Sequence, residues 1–433
     1  TIMSKVIKVS PTIQKYGWGK LGSSSAVATL HSAATGEDID ANGTYAELWM
    51  GTHPTSPSTV QVDGKTMLLR DYAGGDLPYL FKVLSIAKAL SVQAHPNKQL
   101  AEKLHATRPA IYKDPNHKPE MACAVTAFEA MCGFRDSDQI AFFLSTVPEF
   151  AALVDPPIVR AFCSLVEKKQ EQGEQKNKEE PSTQEEEEES CKRQALRQVF
   201  TAVMTAPQAE VDKQLAALLG RIKDNSNAVA QAPSSQAHDC IVSQLVSRLY
   251  LQHGSDVGCF APFLLNCFHC KPGEGIFLAP DEPHAYISGD IIECMACSDN
   301  VVRAGLTPKL RDTQTLCDML TYSTGVPDIQ TGKVLDGFTR LYGPPPSHAD
   351  VITEFRMTRT DLPASSTYQL PGVGTHALCL IYAGSGCVGG LAVKAGDSVF
   401  VPNGQSVSLS SSSKENLLIF RCFAATATPK SGL

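Results

Sequence analysis

The 433-residue chain has no apolar run approaching the roughly 18 residues that a membrane-spanning helix requires, so no such helix is expected. Its start, Thr1-Ile2-Met3-Ser4-Lys5, leads into a polar stretch and not into the apolar core of a secretory signal, so secretion is not expected. A soluble, cytoplasmic protein is expected. Excess basic charge is also missing: 38 Lys and Arg stand against 45 Asp and Glu, a formal net charge of −7. The stretch from Glu167 to Glu189 alone contributes ten Glu and four Lys, so the remainder is close to neutral. Without a basic stripe to release counterions from a duplex, a nucleic-acid partner is not expected. Any anionic ligand must be met by a local cluster of cations. Fourteen cysteines are present but not at the close spacing of a disulfide-stapled scaffold, in a chain long enough to build a core without staples, which points to free thiols. A Walker-type phosphate loop and a G-x-S-x-G elbow are both absent.

Hydrophobic residues make up 43% and charged residues 19% of the chain, an ordinary globular balance that at this length allows two or three domains. From Lys5 to Phe150 short alternating or apolar runs are broken by Gly and Pro, the pattern of strands and loops. Between Pro148 and Gly258 the period changes. Leu196, Val199, Phe200 and Val203, then Leu215, Leu218, Leu219 and Ile222, fall at helical spacing and predict amphipathic helices. Within this block the run Glu167 to Glu189 has no apolar stripe and is expected to be a solvated loop. From Cys259 the strand pattern returns. An internal repeat then pairs Lys271-Pro272-Gly273-Glu274-Gly275-Ile276-Phe277-Leu278 with Lys394-Ala395-Gly396-Asp397-Ser398-Val399-Phe400-Val401. A Gly-acidic turn leading into a strand is an element of small jelly-roll barrels, so the expected fold is mainly β: two cupin-like jelly-roll barrels, a bicupin, with an α-helical insertion. The expected division is 1–149 with 259–325 as the catalytic unit, 150–258 as the helical insertion, and 326–433 as a C-terminal cupin-like unit without a metal site.

Three stretches can carry chemistry. In Ser91-Val92-Gln93-Ala94-His95 the period of two puts Ser91, Gln93 and His95 on one strand face. The same count puts Lys118 and Glu120 on one face, and His284 and Tyr286 on another. Two His, one Glu and one Gln offer two nitrogen and two oxygen donors, a set that zinc accepts. Taken singly, each fits a structural or hydrogen-bonding role; the conjunction is more informative, but composition and spacing alone leave the metal and the structural reading both open. Cys267-x-x-Cys270 and Cys294-x-x-Cys297 would point to opposite strand faces and are not read as a zinc ribbon. Gly384-x-Gly386-x-x-Gly389 precedes a strand pattern where a dinucleotide site needs a helix. Trp18 and Trp49 are expected in the core.

Tyr16-Gly17-Trp18-Gly19, Tyr45 to Pro54, Phe81 to Ser85, Gln93 to Lys98, Asn116 to Met121, Cys132 to Arg135 and the long Glu293 to Lys309 follow one another in an order that closely resembles the type I phosphomannose isomerase family. The resemblance covers most of the chain. It implies Gln93, His95, Glu120 and His284 as ligands of one Zn2+ per chain and Arg303 as a catalytic residue, with Glu293 and Lys118 as acid or base candidates. Ser91, Lys82 and Lys309 are the candidate phosphate contacts, and His53 and Tyr286 are expected to line the pocket. The implied activity is the reversible aldose-ketose interconversion of mannose 6-phosphate and fructose 6-phosphate through an enediol, a step that feeds GDP-mannose biosynthesis. The expected partner is the small sugar phosphate alone, and the expected state a monomer. Two other readings keep the scaffold: a metal-dependent cupin oxygenase, and a catalytically silent bicupin that binds a sugar phosphate.

Overall fold

The structure is a computed structural model that describes residues 5–172, 183–225, 229–230, 232 and 241–425. It is mixed, with 31% helix and 32% strand, and so differs from the mainly β protein expected. The excess helix comes from the middle block. Pro156–Gln172, Thr183–Met204, Gln208–Asp224 and Val242–His253 are helical there. Leu196, Val199, Phe200, Val203, Leu215 and Leu218 are all fully buried, each contributing about 1.5–3 kcal/mol by leaving water. The solvated loop expected from Glu167 to Glu189 is helical at both flanks, and its centre, 173–182, lies outside the described residues. Glu, Lys and Gln are good helix formers that need no apolar stripe on a solvated face, so low hydrophobicity did not end these helices. No helix among the described residues is long and apolar enough to cross a membrane.

Two large antiparallel sheets frame the molecule. One joins Lys333–Val334, Thr339–Tyr342, Arg356–Leu362, Leu417–Phe423, Ala377–Ala383 and Ser398–Val401 to the N-terminal Ile7–Ser10 and the hairpin Thr59–Val62 with Lys65–Leu68. The other runs from Ile329–Gln330 through Gly275–Leu278, Glu120–Ala124, His284–Ala296, Tyr79–Ile86 and Glu47–Met50 to Thr12–Gln14, with Phe128–Phe134, Leu265–Cys270, Val92–Ala94 and Val302–Gly305 attached. The sheets therefore exchange strands across the expected boundary between 259–325 and 326–433. The repeat is visible in space: Gly273 and Gly396 both turn at positive φ, 88° and 87°, ahead of the strands Gly275–Leu278 and Ser398–Val401. The Gly384–Gly389 run forms a hairpin, Ser385–Val388 with Leu391–Lys394, and every cysteine among the described residues is a free thiol.

One feature of the second sheet builds the site. His284–Ala296 pairs at its far end with Glu120–Ala124, Glu120 opposite Met295, and at its start with Phe128–Phe134, His284 opposite Cys132. On a straight strand His284 and Met295 would lie about 36 Å apart. Their neighbours nevertheless meet, because the ribbon folds over at Gly289, which has φ 120° and whose missing Cβ would lie 2.5 Å from the Ala127 carbonyl. A register shift between Glu129 and Ala130 marks the same bend on the partner strand.

Candidate active site

The fold brings the four candidate donors to one point. Gln93 pairs with His284 on one side of its strand and with Arg303 on the other, and the folded ribbon swings Glu120 over them. His95 Nε2 lies 3.3 Å from Glu120 Oε1, His284 Nε2 lies 3.5 Å from Glu120 Oε2, and Gln93 Nε2 lies 3.4 Å from His284 Nε2. Donors about 2.1 Å from a tetrahedral ion stand about 3.4 Å from one another, so these separations fit one small divalent cation. The outer ring nitrogens are already committed: His95 Nδ1 donates to the Asn300 carbonyl at 2.7 Å and His284 Nδ1 to the Glu282 carbonyl at 3.1 Å. That leaves both Nε2 lone pairs aimed inward, and His95 Nε2 is buried without a hydrogen bond. Burial, then the Lys118 charge, pushes the His95 pKa down to about 4, and burial also lowers that of His284, so both rings are neutral. Burial alone would raise the Glu120 pKa, but the Lys118 charge beside it overrides burial and holds the carboxyl ionised. Gln93 Oε1 accepts from the Ser91 hydroxyl at 2.7 Å; turning the amide over aims its oxygen at His284, and the hydroxyl can serve either end.

A charged layer surrounds this cluster. Lys118 Nζ donates to Glu120 Oε1 at 2.6 Å. Lys82 Nζ sits 3.2 Å from Glu293 and 3.4 Å from Glu47, and 4.9 Å above the Trp49 ring. Burial works against the Lys82 charge, but Glu47, Glu293 and Glu120 outweigh it and raise its pKa above the usual lysine value, which makes Lys82 a fixed cation. Burial, then the Glu120 charge, raises the Glu293 pKa above the usual carboxylate range. Tyr286 donates to Glu293 Oε1 at 3.0 Å.

A cleft of about 510 Å3 opens beside the cluster, with Gln93 the one of the four donors in its wall and His95, Glu120 and His284 buried behind it. Ser91, Gln93, Lys82, Lys118, Arg303, Lys309 and His53 form part of its wall, as expected. Tyr286 does not: its ring packs behind the cluster between Phe128 and His284. Trp49, expected in the core, is buried in a small apolar cluster with Leu80 and Met295 and also presents its indole, which donates to Glu47 and supports Lys82, to the cleft, whereas Trp18, also expected in the core, is half-buried in the cleft wall. Arg303 is half-buried and forms no side-chain hydrogen bond or ion pair with the described residues, which sets aside a structural ion pair. His53 faces Asp299 at 3.5 Å, and burial lowers its pKa. Sequence reasoning missed Lys88, Glu47, His253 and Thr307, none of which carries a period or spacing signal. A larger hollow of about 700 Å3 against the helix Thr183–Met204, lined by Arg193, Arg197 and Tyr322, contains none of the donors. No other group of three or more His, Cys, Asp or Glu among the described residues is arranged to hold a metal, the Cys-x-x-Cys pairs included.

Sequence models of type I phosphomannose isomerase match two segments, the catalytic domain at residues 6–137 and the helical insertion domain at 158–265. Mannose-6-phosphate isomerase of Bos taurus is 36% identical over 96% of this chain and 98% of its own length. Mannose-6-phosphate isomerase 2 of Arabidopsis thaliana is 38% identical over 90% and 87%. Among solved structures, a variant of phosphomannose isomerase from Salmonella typhimurium superposes with a TM-score of 0.76 at 27% identity, covering 98% of this chain and all of its own. A zinc-bound mannose 6-phosphate isomerase gives 0.75 at the same identity. With donors, cleft and insertion all accounted for along nearly its whole length, the chain belongs to the type I phosphomannose isomerase family.

Proposed function

We propose that this chain is a zinc-dependent mannose-6-phosphate isomerase, with one Zn2+ held by Gln93, His95, Glu120 and His284. The observation that carries the reading is the convergence of donors, 3.3 to 3.5 Å apart, beside a cleft that Gln93 lines and whose wall holds Lys82, Lys88, Lys118, Arg303 and Lys309. A phosphate monoester is dianionic near neutrality and needs such cations. When bound, zinc supplies a Lewis acid and a template for the sugar's oxygen atoms.

The isomerisation moves one proton between C2 and C1 through an enediol while a second proton passes between the two oxygens. Arg303, charged and unpaired on the wall, is placed to hold the negative charge that develops on oxygen. Lys118, on the wall beside Glu120, is one acid-base candidate. Glu293, whose buried carboxyl exchanges its proton at a higher pH than a free carboxylate and which feels the Lys118 charge, is the second acid-base candidate. Lys82, fixed as a cation, and Ser91 and Lys309 are assigned to binding, with His53 shaping the wall beside Asp299. The paired Gly-turn strands support two cupin-like halves, of which one, the C-terminal, has no donor cluster among the described residues. A cytoplasmic monomer completes the reading, in keeping with the free thiols.

Relatives named as isomerases favour this reading over an oxygenase or a silent binding protein. The deciding experiment is a coupled isomerase assay before and after chelation. Activity is expected to vanish with the metal and to return with zinc; full turnover in metal-free protein rejects the assignment.

A further inference from the structure

The helical insertion meets the cleft through one short stretch, Gln252 to Gly258, where the helix Val242–His253 ends and the chain returns toward the sheet by the 3-10 turn Val257–Phe263. We infer that this stretch is a clamp that fixes both cationic walls of the cleft, with Gln252 and Asp256 as positioning residues for phosphate binding. The inference rests on the reading of the cleft as the sugar-phosphate site.

On one side Gln252 Oε1 accepts from the Ala89 amide at 2.9 Å, Gln252 Nε2 donates to the Ala87 carbonyl at 3.4 Å, and His253 Nε2 lies 3.0 Å from the Ala89 carbonyl. These bonds hold the turn between Tyr79–Ile86 and Val92–Ala94, which presents Lys88, Leu90 and Ser91 to the cleft. On the other side Asp256 Oδ1 accepts from the amides of Gly258 at 2.8 Å and Leu306 at 2.7 Å, while Oδ2 takes the Arg311 guanidinium at 2.5 Å. Leu306 has φ 54°, a left-handed conformation that is unfavourable for a leucine and persists only where its surroundings over-determine it. That turn carries Thr307 and Lys309 into the wall directly after Arg303. The packing leaves no slack: a Cβ on Gly305 would lie 2.8 Å from the Gly258 Cα and 3.1 Å from Asp256 Oδ1.

Gln252 and Asp256 are not wall residues, so they act through the turns they hold. A wall ordered in advance spares the ligand the cost of ordering it, which for a few side chains corresponds to roughly tenfold in affinity. Both tryptophans of the chain, Trp18 and Trp49, are in the wall, so intrinsic fluorescence reads ligand binding without turnover. In zinc-loaded protein, Asp256→Ala and, separately, Gln252→Ala are expected to weaken both inorganic phosphate and mannose 6-phosphate about tenfold by fluorescence titration and to raise KM by the same factor. Zinc content and kcat should stay within about twofold, because strand-held groups set them. Asp256→Asn, which keeps the Oδ1 acceptor, should recover most of the affinity. Wild-type affinity in either alanine variant, or affinity lost only in step with zinc, overturns the clamp. Gln252, half-buried on the helix, keeps the test available should Asp256→Ala fail to fold. Wild-type turnover tests the isomerase reading and the variants' affinities test the clamp, so the two fail separately.

Discussion

A buried histidine usually satisfies both ring nitrogens, one as donor and one as acceptor, and His95 leaves its Nε2 without a hydrogen bond. Its outer nitrogen is fixed on Asn300 and its inner one faces Glu120, an arrangement that makes sense for a ligand and wastes a lone pair otherwise. Arg303 offers the sharper test at this scale. Since its side chain bonds none of the four donors among the described residues, Arg303→Ala should leave zinc loading normal and lower kcat by roughly 10²-fold or more; an unchanged kcat rejects the assigned role. Asp312 gives a pH dependence. Burial would raise its pKa, but the Tyr112 hydroxyl, Thr315 and Arg108 hold it below the usual carboxylate range, and its side chain also caps the helix Thr313–Met319. A depressed carboxylate stabilises the fold above its unfolded value, and that contribution is lost as pH falls through its folded value. Asp312→Asn should therefore cost about 1 kcal/mol near pH 7 by denaturant titration, a difference that fades below about pH 4. Residue roles could be read from sequence where alternation fixed a face: Ser91 does reach Gln93, and Lys118 does reach Glu120. Trp49 and Lys88 could not, since a wall and a core look alike until the opposite side is known.

Among the elements, the folded ribbon is the one on which the site depends. Gly289 adopts a φ that L-residues avoid and sits where a methyl group would strike the Ala127 carbonyl and Phe128. Gly289→Ala is expected to destabilise the protein by about 3 kcal/mol and to lower zinc retention with it, measured by thermal melting and metal analysis; a variant of wild-type stability would show that the bend is not set there. Strand periodicity revealed each half of this ribbon but not the fold-over, because a bend at one glycine leaves the alternation on either side intact. The helices of the insertion were equally visible from Leu196 to Ile222, whereas Glu-rich flanks read as loop proved helical because propensity and hydrophobic stripe are separate signals.

At the scale of the whole molecule, near-neutral charge outside the acidic segment conceals a local excess of cations in the cleft wall, Lys82, Lys88, Lys118, Arg303 and Lys309 against Glu47 and Asp299. Lys88 and Lys309 near its mouth are accessible enough to be screened, so KM for mannose 6-phosphate should rise at least about twofold between roughly 0.05 and 0.5 M salt, with kcat little changed. A KM independent of salt would place the phosphate away from these cations. The exchange of Ile7–Ser10 and Ile329–Gln330 between sheets escaped the sequence, since an apolar strand does not announce its partner. Gln93 and His284 are 191 positions apart, with the helical insertion between them. A ribosome must therefore release that entire insertion before the last donor emerges, so the complete four-donor set exists only once the insertion has been made.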